Sequence, residues 1–175
     1  MVLLCLTHEL AITMKSFVLI GLLLLCLVGC QRPSEPPSTL SEPEASVSAN
    51  GIVFTLRLPR IKFYVGDTLK GKFEVWNNST IERTFFFLNR QQLALEIQLE
   101  NGEVVSALSV ASQLSAGIFR LATNQRQTYP FAFVPRSPKT GGALQAGTYW
   151  LCAYLSENHS PKVRLRISIE PSPGL

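Results

Sequence analysis

The sequence predicts an all-β protein, an antiparallel sandwich of about 8–9 short strands preceded by an export signal and an extended tether. Three observations carry this expectation. Beyond residue 50 apolar side chains recur at every second position, the period of a half-buried strand. The runs end at Pro, Gly or Asn clusters, which punctuate the chain at intervals too short for anything but strands and turns. No segment sustains a 3.6-residue apolar period with caps, so helices have no support. The roughly 145 residues after position 30 suffice for one domain with a modest core and not for two.

The strands follow in order. Ile52, Phe54, Leu56 and Leu58 alternate with Val53, Thr55 and Arg57 until Pro59 stops the run. Phe63-Tyr64-Val65 leads into a Gly66-Asp67 turn, after which Leu69, Gly71, Phe73 and Val75 alternate with Lys70, Lys72, Glu74 and Trp76. Asn77-Asn78-Ser79 turns the chain into Thr84–Leu88, a strand apolar on both faces. Leu93, Leu95, Ile97 and Leu99 alternate up to Asn101-Gly102, which predicts a type I′ hairpin because both central positions of that turn need positive φ. The return strand is Glu103–Leu108. Residues 109–125 read as irregular, with Ile118-Phe119 as an anchor that folds over the aromatic strands. Gln127–Val134 resumes the strand pattern, and Pro138-Lys139-Thr140-Gly141-Gly142 is a loop. Tyr149–Leu155, apolar on both faces, reads as a central strand. Val163, Leu165, Ile167 and Ile169 complete the last one, so the sandwich spans 51–171 and leaves 172–175 as a tail.

Ahead of the sandwich, Met14-Lys15 and the apolar run Phe17–Val28 have the charged and hydrophobic regions of a secretory signal. Residues 1–13 add no positive charge, which favours Met14 as the true start. The signal, residues 1–29, ends in Leu27-Val28-Gly29-Cys30. This resembles the lipobox of bacterial lipoproteins, which implies acylation of the Cys30 thiol and cleavage before it. Gln31, where lipoproteins kept at an inner membrane tend to carry Asp, implies the outer membrane, facing the periplasm, if the cell has two. Residues 30–50, rich in Pro, Ser and Glu, cannot bury a core and read as a tether.

Two further resemblances concern the sandwich. Leu144-Gln145-Ala146-Gly147-Thr148-Tyr149 is similar to the tyrosine corner of immunoglobulin-like domains, with Leu151 where those domains place their second cysteine. The order of Phe73–Ser79, Thr84–Phe87, Leu95-Glu96-Ile97 with Asn101-Gly102, and Leu144-x-x-Gly147-x-Tyr149 resembles the intracellular proteinase inhibitor (BsuPI) family, over about half of the chain. That resemblance implies an immunoglobulin-like fold and an inhibitory activity. Where family members tend to carry an aromatic-rich stretch after the hairpin, this chain has Val104–Ser109.

Composition removes several chemistries. After residue 30 the chain has one His (His159), one Asp (Asp67) and, besides Cys30, one Cys (Cys152). A Ser-His-Asp triad needs His and an acid, a zinc site needs three or four His, Cys or acid ligands, and that set makes a convincing case for neither; no cofactor motif is present. Cys152 with His159, or a loop carboxylate such as Asp67 or Glu157, is the remaining enzymatic option, against which Cys152 reads as a buried small hydrophobe and His159 as an exposed turn residue. From residue 51 there are 14 Lys/Arg against 8 Asp/Glu, a net charge of +6, offset by −2 in the tether. Lys162, Arg164 and Arg166 share one strand face and Lys70 with Lys72 another, either a basic stripe for anionic surfaces or solubilising charge on outward positions. No aromatic-interleaved basic motif points to nucleic acid, and no small-molecule substrate is evident. The function expected is that of a membrane-anchored envelope lipoprotein, not an enzyme, whose sandwich binds another protein. The alternatives are a proteinase inhibitor and a structural spacer. For inhibition the loop 135–147, with Arg136 and Lys139 between prolines, is the candidate segment.

Overall fold

A computed structural model describes residues 41–88, 91–108, 117–157 and 159–174. The expected signal and Cys30 lie outside the described residues, as do residues 109–116 of the stretch expected to cover the core. The described residues are all-β and fold as an antiparallel immunoglobulin-like sandwich. Eleven strands build it: β1 (Glu44–Ala49), β2 (Ile52–Arg57), β3 (Lys62–Tyr64), β4 (Leu69–Asn77), β5 (Arg83–Phe87), β6 (Leu93–Gln98), β7 (Val104–Leu108), β8 (Gly117–Leu121), β9 (Arg126–Phe133), β10 (Gly147–Leu155) and β11 (Val163–Glu170).

One sheet runs β1-β2-β4-β9 and the other β3-β11-β10-β6-β7, while β5 and β8 pair with each other as a two-stranded ribbon. All pairs are antiparallel except β3 with β11. Pro59 and Arg60 separate β2 from β3, so the chain leaves one sheet and joins the edge of the other. Alternation explains the core: Phe54, Leu56, Phe73 and Val75 from the first sheet and Leu95, Ile97, Leu151, Ala153 and Ile167 from the second are all buried. Phe54 and Phe73 stack at 6.2 Å between ring centres. Phe85, Phe87 and Leu121 of the ribbon are buried in the same core.

Three expectations need correction. The tether does not extend to Asn50, because residues 44–49 form β1, paired with β2 from Glu44↔Arg57 to Ala49↔Ile52. Its Ala45, Val47 and Ala49 lie against the core while Ser46 meets Thr55 at 2.9 Å. The loop joining these strands is Asn50-Gly51, with φ of 51° and 77°, so the type I′ turn sits here. At Asn101-Gly102 only Gly102 has positive φ, 85°. There the Gly102 N–H donates to the Leu99 carbonyl and the Leu99 N–H to the Glu103 carbonyl, both at 2.9 Å, closing a three-residue loop. A Gly in the left-handed region after such a turn is the second common hairpin solution. Finally, 109–125 is not irregular throughout, since Gly117–Leu121 is β8, with Phe119 stacked on Phe85 at 5.7 Å.

Asn77, expected only as a turn residue, is fully buried at the end of β4. Its Nδ2 donates to the carbonyls of Ile81 (2.8 Å) and Leu121 (2.9 Å), and its Oδ1 accepts from the Ser79 N–H and Oγ. This side chain ties the ribbon to the first sheet.

Candidate functional site

Tyr149 stands at the start of β10, the penultimate strand, and is buried. Its hydroxyl donates to the Gln145 carbonyl at 3.0 Å, four residues upstream, which is the bond of a tyrosine corner. Gly147 makes room for it, since a Cβ there would lie 3.2 Å from the phenol oxygen. Leu151 is fully buried. Tyr149, Asn101 and Gly102 are therefore parts of the framework.

The loop carrying Arg136 and Lys139 is a compact turn. The Ser137 N–H donates to the Gly142 carbonyl and the Gly141 N–H to the Ser137 carbonyl, each at 2.8 Å. Arg136 bridges to Ala143, its N–H donates to Ser106 Oγ at 3.1 Å, and its Nη1 donates to the Gly141 carbonyl. The Lys139 ammonium meets Glu103 at 3.3 Å across the neighbouring hairpin. Arg136 thus braces its own loop, where an extended presentation was expected.

On the outer face of the second sheet, cross-strand pairing sets Arg164 opposite Cys152 and Arg166 opposite Trp150. The Arg164 guanidinium lies over the Trp150 ring at 4.7 Å and the Lys162 ammonium over Tyr154 at 4.6 Å. Cys152 is fully buried, and that burial pushes its thiol pKa up, against a lowering by Arg164. A protonated thiol with no open surface is a poor nucleophile. Burial also pushes Glu96 up, but Lys162 at 2.7 Å, the Tyr154 hydroxyl and Gln98 at 2.8 Å all donate to it and hold it below the usual carboxylate range. Arg166 pairs with Glu100 at 2.9 Å, and Lys72 with Glu42 at 3.0 Å. The basic stripe is thus largely answered by carboxylates of its own surface. His159 is exposed at φ 87° and helps stabilise the charge of Glu157, whose carboxyl burial pushes up. Asp67 is held by Arg60 at 2.7 Å and by the Tyr64 N–H at 3.0 Å.

A broad, open depression lies where the edges of the two sheets approach, between Pro43 before β1 and the short strand β3. This cleft holds about 460 Å³ and is lined by Pro43, Arg60, Ile61, Lys62, Phe63, Tyr64 and Glu170. Ile61 and Tyr64 remain 41% and 43% exposed there, large apolar groups that the fold leaves unused. Lys62 and Glu170, 3.8 Å apart, flank them with opposite charges, and the Arg60 guanidinium lies 5.0 Å from the Phe63 ring centre. An apolar floor with both signs of charge at its rim suits a side chain of another macromolecule. Sequence reasoning passed over Ile61 and Tyr64 because the parallel pairing that places them on an edge is not encoded locally. Among the described residues no three His, Cys, Asp or Glu side chains come together as a metal site, and no helix is long and apolar enough to cross a membrane.

No family model and no curated protein matches the chain. Among solved structures it is similar to a β-glucosidase from Erythrobacter marinus, at 15% identity and a TM-score of 0.42, covering 68% of this chain and 15% of that one. An alkylpurine DNA glycosylase from Pseudomonas fluorescens matches at 9% identity and a TM-score of 0.44, covering 69% of this chain and 30% of that one. A CARDB domain from Pyrococcus furiosus matches at 16% identity and a TM-score of 0.38, covering 65% of this chain and 89% of that one. The chain spans only a small part of both enzymes. At these TM-scores none of the three carries an argument about activity, and the fold rests on strand order, register and the tyrosine corner.

Proposed function

We propose that this chain is a lipid-anchored envelope protein, acylated at Cys30, whose sandwich is a non-enzymatic protein-binding module. The observation that carries the binding role is the 460 Å³ cleft between Pro43 and β3, where Tyr64 and Ile61 stay exposed. Tyr and Arg are the residue types on which binding energy concentrates in such depressions. The Leu27-Val28-Gly29-Cys30 motif supports the anchor. With residues 44–49 in β1, the linker is 31–43, which keeps the domain close to its membrane.

The test is a photo-crosslinking amino acid in place of Tyr64 in intact cells, with Lys70 as a control position. A discrete partner captured from position 64 and lost on Ile61→Ser supports the reading. Equal or no capture from the two positions overturns the cleft as the binding site. Cys30→Ala should leave an unprocessed precursor without fatty acid, and continued acylation of that variant would overturn the anchor. A proteinase inhibitor would need an extended loop free to enter a protease, and the self-bonded turn around Arg136 and Lys139 does not favour it. No specific observation favours a spacer.

A further inference from the structure

The β5–β8 ribbon is apolar on both faces. Phe85, Phe87 and Leu121 point into the core, so alternation turns Thr84, Phe86 and Leu88 of one strand outward beside Ile118 and Arg120 of the other. Register sets Phe86 directly opposite Ile118 and Thr84 opposite Arg120. Phe86 is 65% exposed, Ile118 63% and Leu88, just past β5, 75%. Ile81, two residues before the ribbon, is 56% exposed. Single exposed apolar residues need no explanation, but several on one two-stranded ribbon do.

We infer that this face rests on the surface of the bilayer that carries the anchor, with Phe86, Leu88 and Ile118 entering the headgroup region and Arg120 meeting lipid phosphate. The inference rests on the lipid-anchor reading proposed above and adds where the domain touches the membrane. Three observations select a bilayer over another occupant. Large apolar side chains beside an exposed arginine are the composition of interfacial segments. Residues 44–175, with 14 Lys/Arg against 9 Asp/Glu, carry a net charge of +5, complementary to anionic lipid. The third is reach. Residues 31–43 span at most about 45 Å when extended. β1 begins at Glu44 and runs about 20 Å to the Asn50-Gly51 turn. That turn lies at the ribbon's end of the sandwich, since Arg83 Nη2 donates to the Asn50 carbonyl at 2.7 Å. The linker is therefore long enough to let the ribbon meet the bilayer and short enough to keep its local concentration high, so weak contacts suffice.

The test uses the full chain in vesicles of phosphatidylethanolamine and phosphatidylglycerol, with an environment-sensitive fluorophore on Thr84→Cys and, as control, on Thr148→Cys in β10. Quenching by a headgroup-level nitroxide lipid should be about twofold or more stronger at position 84. It should fall to the control level in Phe86→Ser/Ile118→Ser, and weaken in Arg120→Glu, whose exposed site leaves folding intact. Equal quenching at both positions, or quenching unchanged by the double substitution, overturns the inference. Energy transfer between labelled copies without quenching would assign the face to a second copy and overturn it as well. The mass of the N-terminal peptide reports acylation of Cys30 separately, so failure of the anchor and failure of the docking face are read apart.

Discussion

Asn77→Ala tests the claim that one buried amide holds the ribbon to the sandwich. The substitution removes two donors and one acceptor without adding volume. The Leu121 carbonyl, whose bond to Nδ2 is buried, is left without that partner, at about 1–3 kcal/mol for an unsatisfied buried group. The Ile81 carbonyl keeps the Ser79 hydroxyl at 3.0 Å, and Ser79 itself is near solvent, so these losses add about 0.5–1 kcal/mol together. The expected sum is about 1.5–4 kcal/mol, or a fall in Tm of about 5–12 °C for a domain of this size. Asn78→Ala, one residue on and exposed, should stay within about 0.5 kcal/mol. Urea melts followed by tryptophan fluorescence give the magnitude, and hydrogen exchange locates it. Amides of β5 and β8 should lose protection first, before those of β4 and β10. A loss below about 1 kcal/mol, or exchange that rises uniformly, would show that the ribbon is held by Phe85, Phe87 and Leu121 alone.

Other outcomes follow from the same geometry. Gly102→Ala should cost about 1–2 kcal/mol from positive φ alone, because the space around it is open. Gly51→Ala should cost more, since its Cβ would also lie 2.7 Å from Ser79 Cβ, and equal midpoints in urea would contradict the assigned turn. Glu96 has a folded pKa below the unfolded one, so its contribution is present above about pH 4.5 and is lost as pH falls through the folded value. Glu96→Gln should therefore lower stability at pH 7 and have less effect at pH 3, and an equal loss at both would remove the ionic explanation. Cys152 should resist a water-soluble thiol reagent at pH 8 in the folded protein and react once unfolded. Rapid labelling of the native state would show that Arg164 and its neighbours do not seal the thiol.

The sandwich was legible in the sequence because its central strands bury one face against a core, which forces apolar residues into a period of two. β2, β4, β6 and β11 fall where that alternation placed them, and β10 where a run apolar on both faces marked a central strand. Tyr149 was legible as well, because its bond to Gln145 is local and needs only the spacing Leu-x-x-Gly-x-Tyr. What escaped depends on partners far away in the chain. β1 is Ser- and Ala-rich and looks like tether, and only pairing with β2 makes it a strand. Two Asn-Gly pairs occur, and the dipeptide alone does not specify loop length. Register gave the two-residue turn to Asn50-Gly51 and a three-residue loop to Asn101-Gly102.

By itself the sequence determined what local chemistry can determine: a chain of alternating strands punctuated by Pro, Gly and Asn turns. Tertiary structure decided which surfaces are left over. Arg136 folded back onto its own loop to bond the Gly141 carbonyl, and the basic strand face met its own carboxylates. Ile61, Tyr64, Phe86 and Ile118 remained exposed instead. The physical reason is that burial belongs to pairs of elements, here β3 with β11 and β5 with β8. No single stretch of chain carries the information about which of its apolar faces will find a partner.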